Sequence, residues 1–283
     1  MQQDSRTIGL EELGGQGETL VLVHGLGGST NTWFPQAQVL KRDFRIVAYD
    51  LAGSARSRAA GDISMARHVE DLLAVVHDTG SPRVHLAGHS MGTIVCQYFA
   101  AEHPELVASL ALLGAFPEPP EAARNALRER AAKARAEGMR GIADAIVAGG
   151  TSDDTKTNQP AVLAFVRESL MAQPPEGYAA NCEALAGAKA ADLSRIACPT
   201  LVLNGDQDRT APPDVGRAIV SAVRGAEFVL LPGCGHWPTV ERAKQVNYAL
   251  SLFYARLRKP QQAPGEGDAP AQPEAVPVPG FQP

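Results

Sequence analysis

Arg83-Val84-His85-Leu86-Ala87-Gly88-His89-Ser90-Met91-Gly92-Thr93 decides how this chain is read. The run from Arg83 to Ala87 reads as a strand of a covered parallel sheet. Gly88 to Gly92 then sets a serine between two glycines, in the pattern G-x-S-x-G. Ile94, Val95, Tyr98 and Phe99 follow on one apolar helical face, with Pro104 near the end of that helix. Strand, sharp turn and helix in that order form the setting a nucleophile elbow requires. Such a turn drives Ser90 into an unfavourable backbone region, and the flanking glycines leave space where a Cβ would strike neighbouring chain. The free amides at the helix start then face any negative charge that develops beside the serine.

Outward from this stretch, short apolar runs alternate with helical ones. Strands are predicted at 19–23, 45–50, 106–113, 200–203 and 227–231, and helices at 30–40, 66–79 and 213–223. This rhythm predicts a mostly parallel sheet flanked by helices, with ligands beyond the C-terminal strand ends. Residues 117–191 break the rhythm. Helical segments are predicted at 121–137, 142–148, 161–171 and 178–186 with no strand between them, which reads as a helical cap inserted above the sheet. The organisation expected is a core over 1–116, the cap over 117–191, the rest of the core over 192–259, and a Pro-rich disordered tail over 260–283.

A nucleophilic serine needs a base, and the base needs a group that orients it. His236 is the candidate base among seven histidines. It sits in Leu231-Pro232-Gly233-Cys234-Gly235-His236-Trp237-Pro238, a glycine-rich loop just past the last strand. His85 lies inside a strand, His68 and His77 are expected on a surface helix, and His103 ends the helix after Ser90. His24 and His89 are expected to hold their own loops by hydrogen bonds. The acid should follow the preceding strand, in Asn204-Gly205-Asp206-Gln207-Asp208-Arg209. Asp206 suits a turn cap, whereas Asp208 lies further out and is the candidate partner of His236. For the oxyanion, the amides of Met91 and of Leu26, in His24-Gly25-Leu26-Gly27-Gly28, are the candidate donors.

Composition narrows the partners. A net charge of -5 gives no electrostatic basis for wrapping nucleic acid or an anionic membrane. No apolar run reaches the length of a bilayer span, and Met1-Gln2-Gln3-Asp4-Ser5-Arg6 does not read as a signal peptide. Four scattered cysteines form no metal or disulfide pattern and read as free thiols, so a cytoplasmic location is expected. The 24–28 loop lacks the phosphate-binding glycine fingerprints, so no cofactor and no metal are expected. The expected partner is a small-molecule ester or lactone, and oligomeric state is not legible.

Taken together, these pieces resemble the α/β-hydrolase superfamily with a helical cap. The resemblance is carried by His24-Gly25-Leu26-Gly27-Gly28 with Trp33 downstream, Asp50-Leu51-Ala52-Gly53-Ser54-Ala55-Arg56-Ser57, Gly88-His89-Ser90-Met91-Gly92, Gly205-Asp206-Gln207-Asp208, and Gly235-His236-Trp237-Pro238 followed by Glu241. It implies a triad of Ser90, Asp208 and His236. Ala55 departs from the pattern, which usually has glycine there. Within the superfamily, the cap segment from Pro175 to Leu185 and Gly233-Cys234-Gly235-His236 are most similar to 3-oxoadipate enol-lactonases and related small esterases. That resemblance implies cofactor-independent hydrolysis of a carboxylic ester or lactone. Rival readings are carbon–carbon hydrolysis of a diketone, cofactor-free perhydrolysis, and ligand binding without catalysis. Trp33 and Trp237 are the candidate walls of the substrate pocket.

Overall fold

The computed structural model describes residues 8–57 and 62–258, and both the 260–283 tail and the first six residues lie outside them. Seven strands build one sheet: β1 (Leu10–Gly14), β2 (Thr19–Val23), β3 (Arg45–Tyr49), β4 (Val84–His89), β5 (Val107–Leu113), β6 (Thr200–Gly205) and β7 (Glu227–Leu231). Their spatial order is β1-β3-β2-β4-β5-β6-β7, with only β1 antiparallel to its neighbour. The order reverses between β2 and β4, where Val23 pairs with Gly88. In open parallel sheets a ligand binds at such a reversal, beyond the strand ends.

The strands have the period of two that their burial on both faces requires. Leu20 and Leu22 face one side and pack with Leu40, Phe44, Leu250 and Phe253. That side is covered by α1 (Phe34–Leu40) and α11 (Ala243–Leu257). Val21 and Val23 face the other side and join Ile94, Val95 and Phe99. Here α2 (Met65–Asp78), α3 (Met91–Glu102) and α9 (Pro213–Ala222) cover the sheet. A four-residue α10 (Pro238–Glu241) leads into α11.

Between β5 and β6 run five helices with no strand: α4 (Glu121–Glu137), α5 (Arg140–Gly150), α6 (Asp153–Asn158), α7 (Pro160–Met171) and α8 (Pro175–Gly187). They form the helical insertion, with α4 packed on α8 and α5 on α7. Polar side chains join the insertion to the core. Buried Gln173 donates to the carbonyl of Gly28 at 3.1 Å and accepts from the amide of Ala55 at 3.2 Å. Asn181 on α8 donates to the carbonyl of Ala52 at 2.8 Å and accepts from His68 Nε2 at 2.8 Å.

His68 therefore corrects the sequence reading. It is fully buried, because the insertion covers the face of α2 that would otherwise be surface. Burial lowers its pKa to about 4, so the ring is neutral near pH 7. Ala55 is also informative. It adopts φ 45°, and with Ser90 it is one of two non-glycine residues at positive φ among those described. A Cβ in that region costs roughly 1–2 kcal/mol. The glycine usual in the resembled family fits the conformation that this loop adopts.

Two outcomes are expected. Ala55→Gly should raise the melting temperature by roughly 2–4 °C, since relief of strain exceeds the added chain entropy by about 1 kcal/mol. A lowered melting temperature would mean the loop is not strained at Ala55. The second concerns pH. The pKa of His68 is below its unfolded value of about 6.5, so the unfolded chain takes the proton first. The associated stability is complete above about pH 6.5 and is lost as pH falls toward 4, amounting to about 2 kcal/mol at pH 5. Urea denaturation across pH 5–8 should show a slope of this sign, to which the buried His24 and His89 also contribute, and His68→Gln should reduce it by the His68 share. An equal slope in the variant would assign the pH dependence elsewhere.

Candidate active site

Ser90 stands between the end of β4 and the start of α3, at φ 52° and ψ -120°. The turn is feasible because its flanks lack side chains. A Cβ on Gly88 would lie 2.6 Å from the carbonyl oxygen of Gly92, and one on Gly92 would strike the carbonyls of Val23 and His24. Neither neighbour is a flexible side-chain end, so both positions exclude any larger residue. The Ser90 amide donates to the carbonyl of Leu113 at 2.9 Å, which ties the turn to the end of β5.

His236 and Asp208 arrive on the loops after β7 and β6. Ser90 Oγ is 2.8 Å from His236 Nε2, and His236 Nδ1 is 2.8 Å from Asp208 Oδ2. Ser90, Asp208 and His236 are 7%, 3% and 8% exposed, so bulk water competes little for these bonds. The other oxygen of Asp208 accepts from the amides of Thr210 and Ala211, both at 2.8 Å, which fixes the carboxylate. Asp206, which is exposed, instead accepts from the amide of Cys234 at 3.1 Å and so joins its loop to the histidine loop. With Asp208 accepting at Nδ1, Nε2 is the ring nitrogen that faces the Ser90 hydroxyl.

Two further histidines frame the site without taking part in that line. His89 donates from Nε2 to the carbonyl of His236 at 2.7 Å. Burial, reinforced by His236, lowers its pKa to about 3. His24 donates from Nδ1 to the carbonyl of Gly25 at 2.8 Å, and its Nε2 accepts from the amide of Leu51 at 2.9 Å. One nitrogen must donate and the other accept, so the ring is neutral, and burial lowers its pKa accordingly. His24 holds its own loop, as expected, and ties it to Leu51, whereas His89 bonds across to the loop of His236 rather than within its own turn.

A cavity of about 700 Å³ opens over Ser90 and His236 between the sheet ends and the insertion. Leu26 lines it beside Ser90, while the Met91 side chain lies in the core under the turn. The Met91 amide begins α3 and so has no acceptor within the helix. Leu127, Ile142, Ile146, Val215 and Trp237 give the cavity apolar walls. Trp33 is not among them. It is fully buried on the opposite face of the sheet, with Leu20, Leu22 and Leu40, because the turn that carries it leads into α1 on that side. The sequence reading overlooked Tyr178, which lines the cavity from α8. Its hydroxyl is buried beside Arg130 and Cys182, whereas the buried indole nitrogen of Trp237 has no hydrogen-bond partner among the described residues.

No cluster of metal-ligating side chains occurs among the described residues, and no described helix is long and apolar enough to cross a membrane. All four cysteines are buried free thiols.

Comparison with known proteins places this geometry. The alpha/beta hydrolase fold family profile matches residues 18–243. A relative from Variovorax paradoxus (strain S110), described as a candidate carbamate hydrolase, RutD, is 31% identical over 257 residues, covering 86% of this chain and 94% of its own. A thermophilic esterase from Thermogutta terrifontis superposes with a TM-score of 0.85 at 28% identity, over 90% of this chain and 95% of that one. The enol-lactonase from Burkholderia xenovorans LB400 superposes with a TM-score of 0.84 at 29% identity, over 89% and 98%. The sheet, the helical insertion and these matches agree, and the chain belongs to the alpha/beta-hydrolase family, as a hydrolase-type member close to esterases and enol-lactonases.

Proposed function

We propose that the protein hydrolyses a carboxylic ester or lactone of a small molecule through a covalent acyl-enzyme on Ser90. The observation that carries this reading is the unbroken line from Ser90 Oγ through His236 to Asp208, with 2.8 Å at each step, beneath a cavity of substrate size. His236 Nε2 takes the hydroxyl proton as Ser90 Oγ bonds to the carbonyl carbon. The tetrahedral oxyanion is met by the amides of Leu26 and Met91. Collapse breaks the bond to the leaving oxygen, which takes the proton from His236. Water then gives its proton to His236 and its oxygen to the acyl carbon, releasing the acid and restoring Ser90. Asp208 holds the ring tautomer and stabilises the imidazolium without accepting its proton.

The apolar walls given by Leu127, Ile142, Ile146, Val215 and Trp237 suit a small acyl group that carries little charge. The candidate carbamate hydrolase among the relatives adds carbamates to the carbonyls worth testing. The same line of residues serves carbon–carbon hydrolysis and perhydrolysis, and no feature of the site favours either over acyl transfer to water.

Ser90→Ala should retain the fold by circular dichroism and lose turnover of p-nitrophenyl esters and enol lactones by at least about 10⁴-fold. Equal rates in wild type and variant would overturn the assignment.

A further inference from the structure

Glu241 is a buried carboxylate, 3% exposed, that the reaction does not use. Four donors converge on it. Its Oε1 accepts from the amide of Trp237 at 3.0 Å, and its Oε2 accepts from the amide of Gly235 at 3.2 Å. These are the residues on either side of His236. The same Oε2 accepts from the amide of Ser152 and the hydroxyl of Thr155, both at 2.8 Å. Ser152 and Thr155 belong to the junction of α5 and α6 in the helical insertion. No cation pairs with the carboxylate among the described residues. Arg242 turns its guanidinium to Asp154 and to the carbonyls of Pro232 and Gly233 instead.

The backbone of His236 is held from the same two directions. Its amide donates to the carbonyl of Gly150, at the end of α5, at 2.7 Å, and its carbonyl accepts from His89 at 2.7 Å. The approach leaves no slack: a Cβ on Gly235 would lie 2.6 Å from the Gly150 carbonyl oxygen and 2.8 Å from Glu241 Oε1. One carboxylate thus joins the loop that carries His236 to the junction in the insertion. An ionised carboxylate suits the place because all four neighbours donate and it offers only acceptors. A carboxamide would set an NH2 group against at least one N–H.

We propose that Glu241 is the positioning residue for His236 and that it makes the placement of this ring depend on docking of the α5–α6 junction. Release of the insertion at that junction withdraws Ser152 and Thr155 from Oε2, frees the loop, and takes His236 Nε2 out of reach of Ser90. This rests on His236 acting as the base in the proposed hydrolysis.

The test compares Glu241→Gln, Thr155→Val, Asp208→Asn and the Glu241→Gln/Asp208→Asn double variant on one p-nitrophenyl ester, with melting temperatures measured in parallel. Glu241→Gln should lower kcat on the order of 100-fold, as misplacement of a reacting group by about 1 Å does, with KM little changed. Thr155→Val, which removes a donor on the insertion side only, should lower kcat several-fold at unchanged KM and serves as the test if Glu241→Gln does not fold. The double variant should be little slower than Asp208→Asn alone, because both changes act on one ring. Wild-type kcat in Glu241→Gln or in Thr155→Val, or losses that simply multiply in the double variant, would overturn the proposal. Ser90→Ala separates the two levels. Turnover by Ser90→Ala removes the hydrolase mechanism itself, whereas an inactive Ser90→Ala beside a fully active Glu241→Gln removes only the role of Glu241.

Discussion

The structure depends on the turn between β4 and α3, where a non-glycine residue is held at φ 52°. Such a conformation persists only where surrounding contacts over-determine it. Here they do. Gly88 and Gly92 are pressed against each other and against the end of β2, the Ser90 amide is anchored to β5, and α3 continues directly into the core. The reversal of strand order between β2 and β4 puts the 24–28 loop beside this turn, so Leu26 and Ser90 share a cavity. Strain at one residue thus fixes the point around which loops from β2, β6 and β7 collect.

Those loops are built from backbone bonds to buried side chains that stay neutral or find only hydrogen-bond donors. His24 and His89 are neutral rings that serve as cross-links, and buried Asp208 accepts from amides of its own loop, while Asp206 accepts from the amide of Cys234 from an exposed position. Glu241 does the same for the loop of His236 and extends the connection into the insertion. A buried carboxylate is costly unless its lone pairs are met, and here they are met without a cation. The site is thereby rigid on its core side and tied to the insertion on the other.

Much of this was legible in the sequence, and what was not has physical causes. The strand–turn–helix around Ser90 is visible because glycine spacing and apolar periodicity are local signals. Asp208 and His236 were legible as the acid and base candidates because each follows an apolar strand in a glycine-containing loop. Which sheet face receives Trp33 depends on where the chain turns after β2, and a tryptophan on either face looks the same in sequence. His68 reads as surface because the residue that covers it, Asn181, is 113 positions away. β1 lacks an apolar alternation because it is an exposed edge strand, Leu-Glu-Glu-Leu-Gly. The apolar residues of α11, at 246, 250, 253 and 254, did carry a helical spacing open to reading. Glu241 stands in plain sight five residues after His236, but its partners Ser152 and Thr155 lie 89 and 86 positions away, beyond any local pattern.

The most direct measurement is of the bond that Ser90 forms. Wild-type protein mixed with an activated ester, quenched in acid within milliseconds and digested should be analysed by peptide mass spectrometry. The account predicts a burst of leaving group and an acyl mass increment located on Ser90 that disappears as turnover is completed. Steady turnover with no acylated Ser90, or an acyl group carried by another residue, would contradict it.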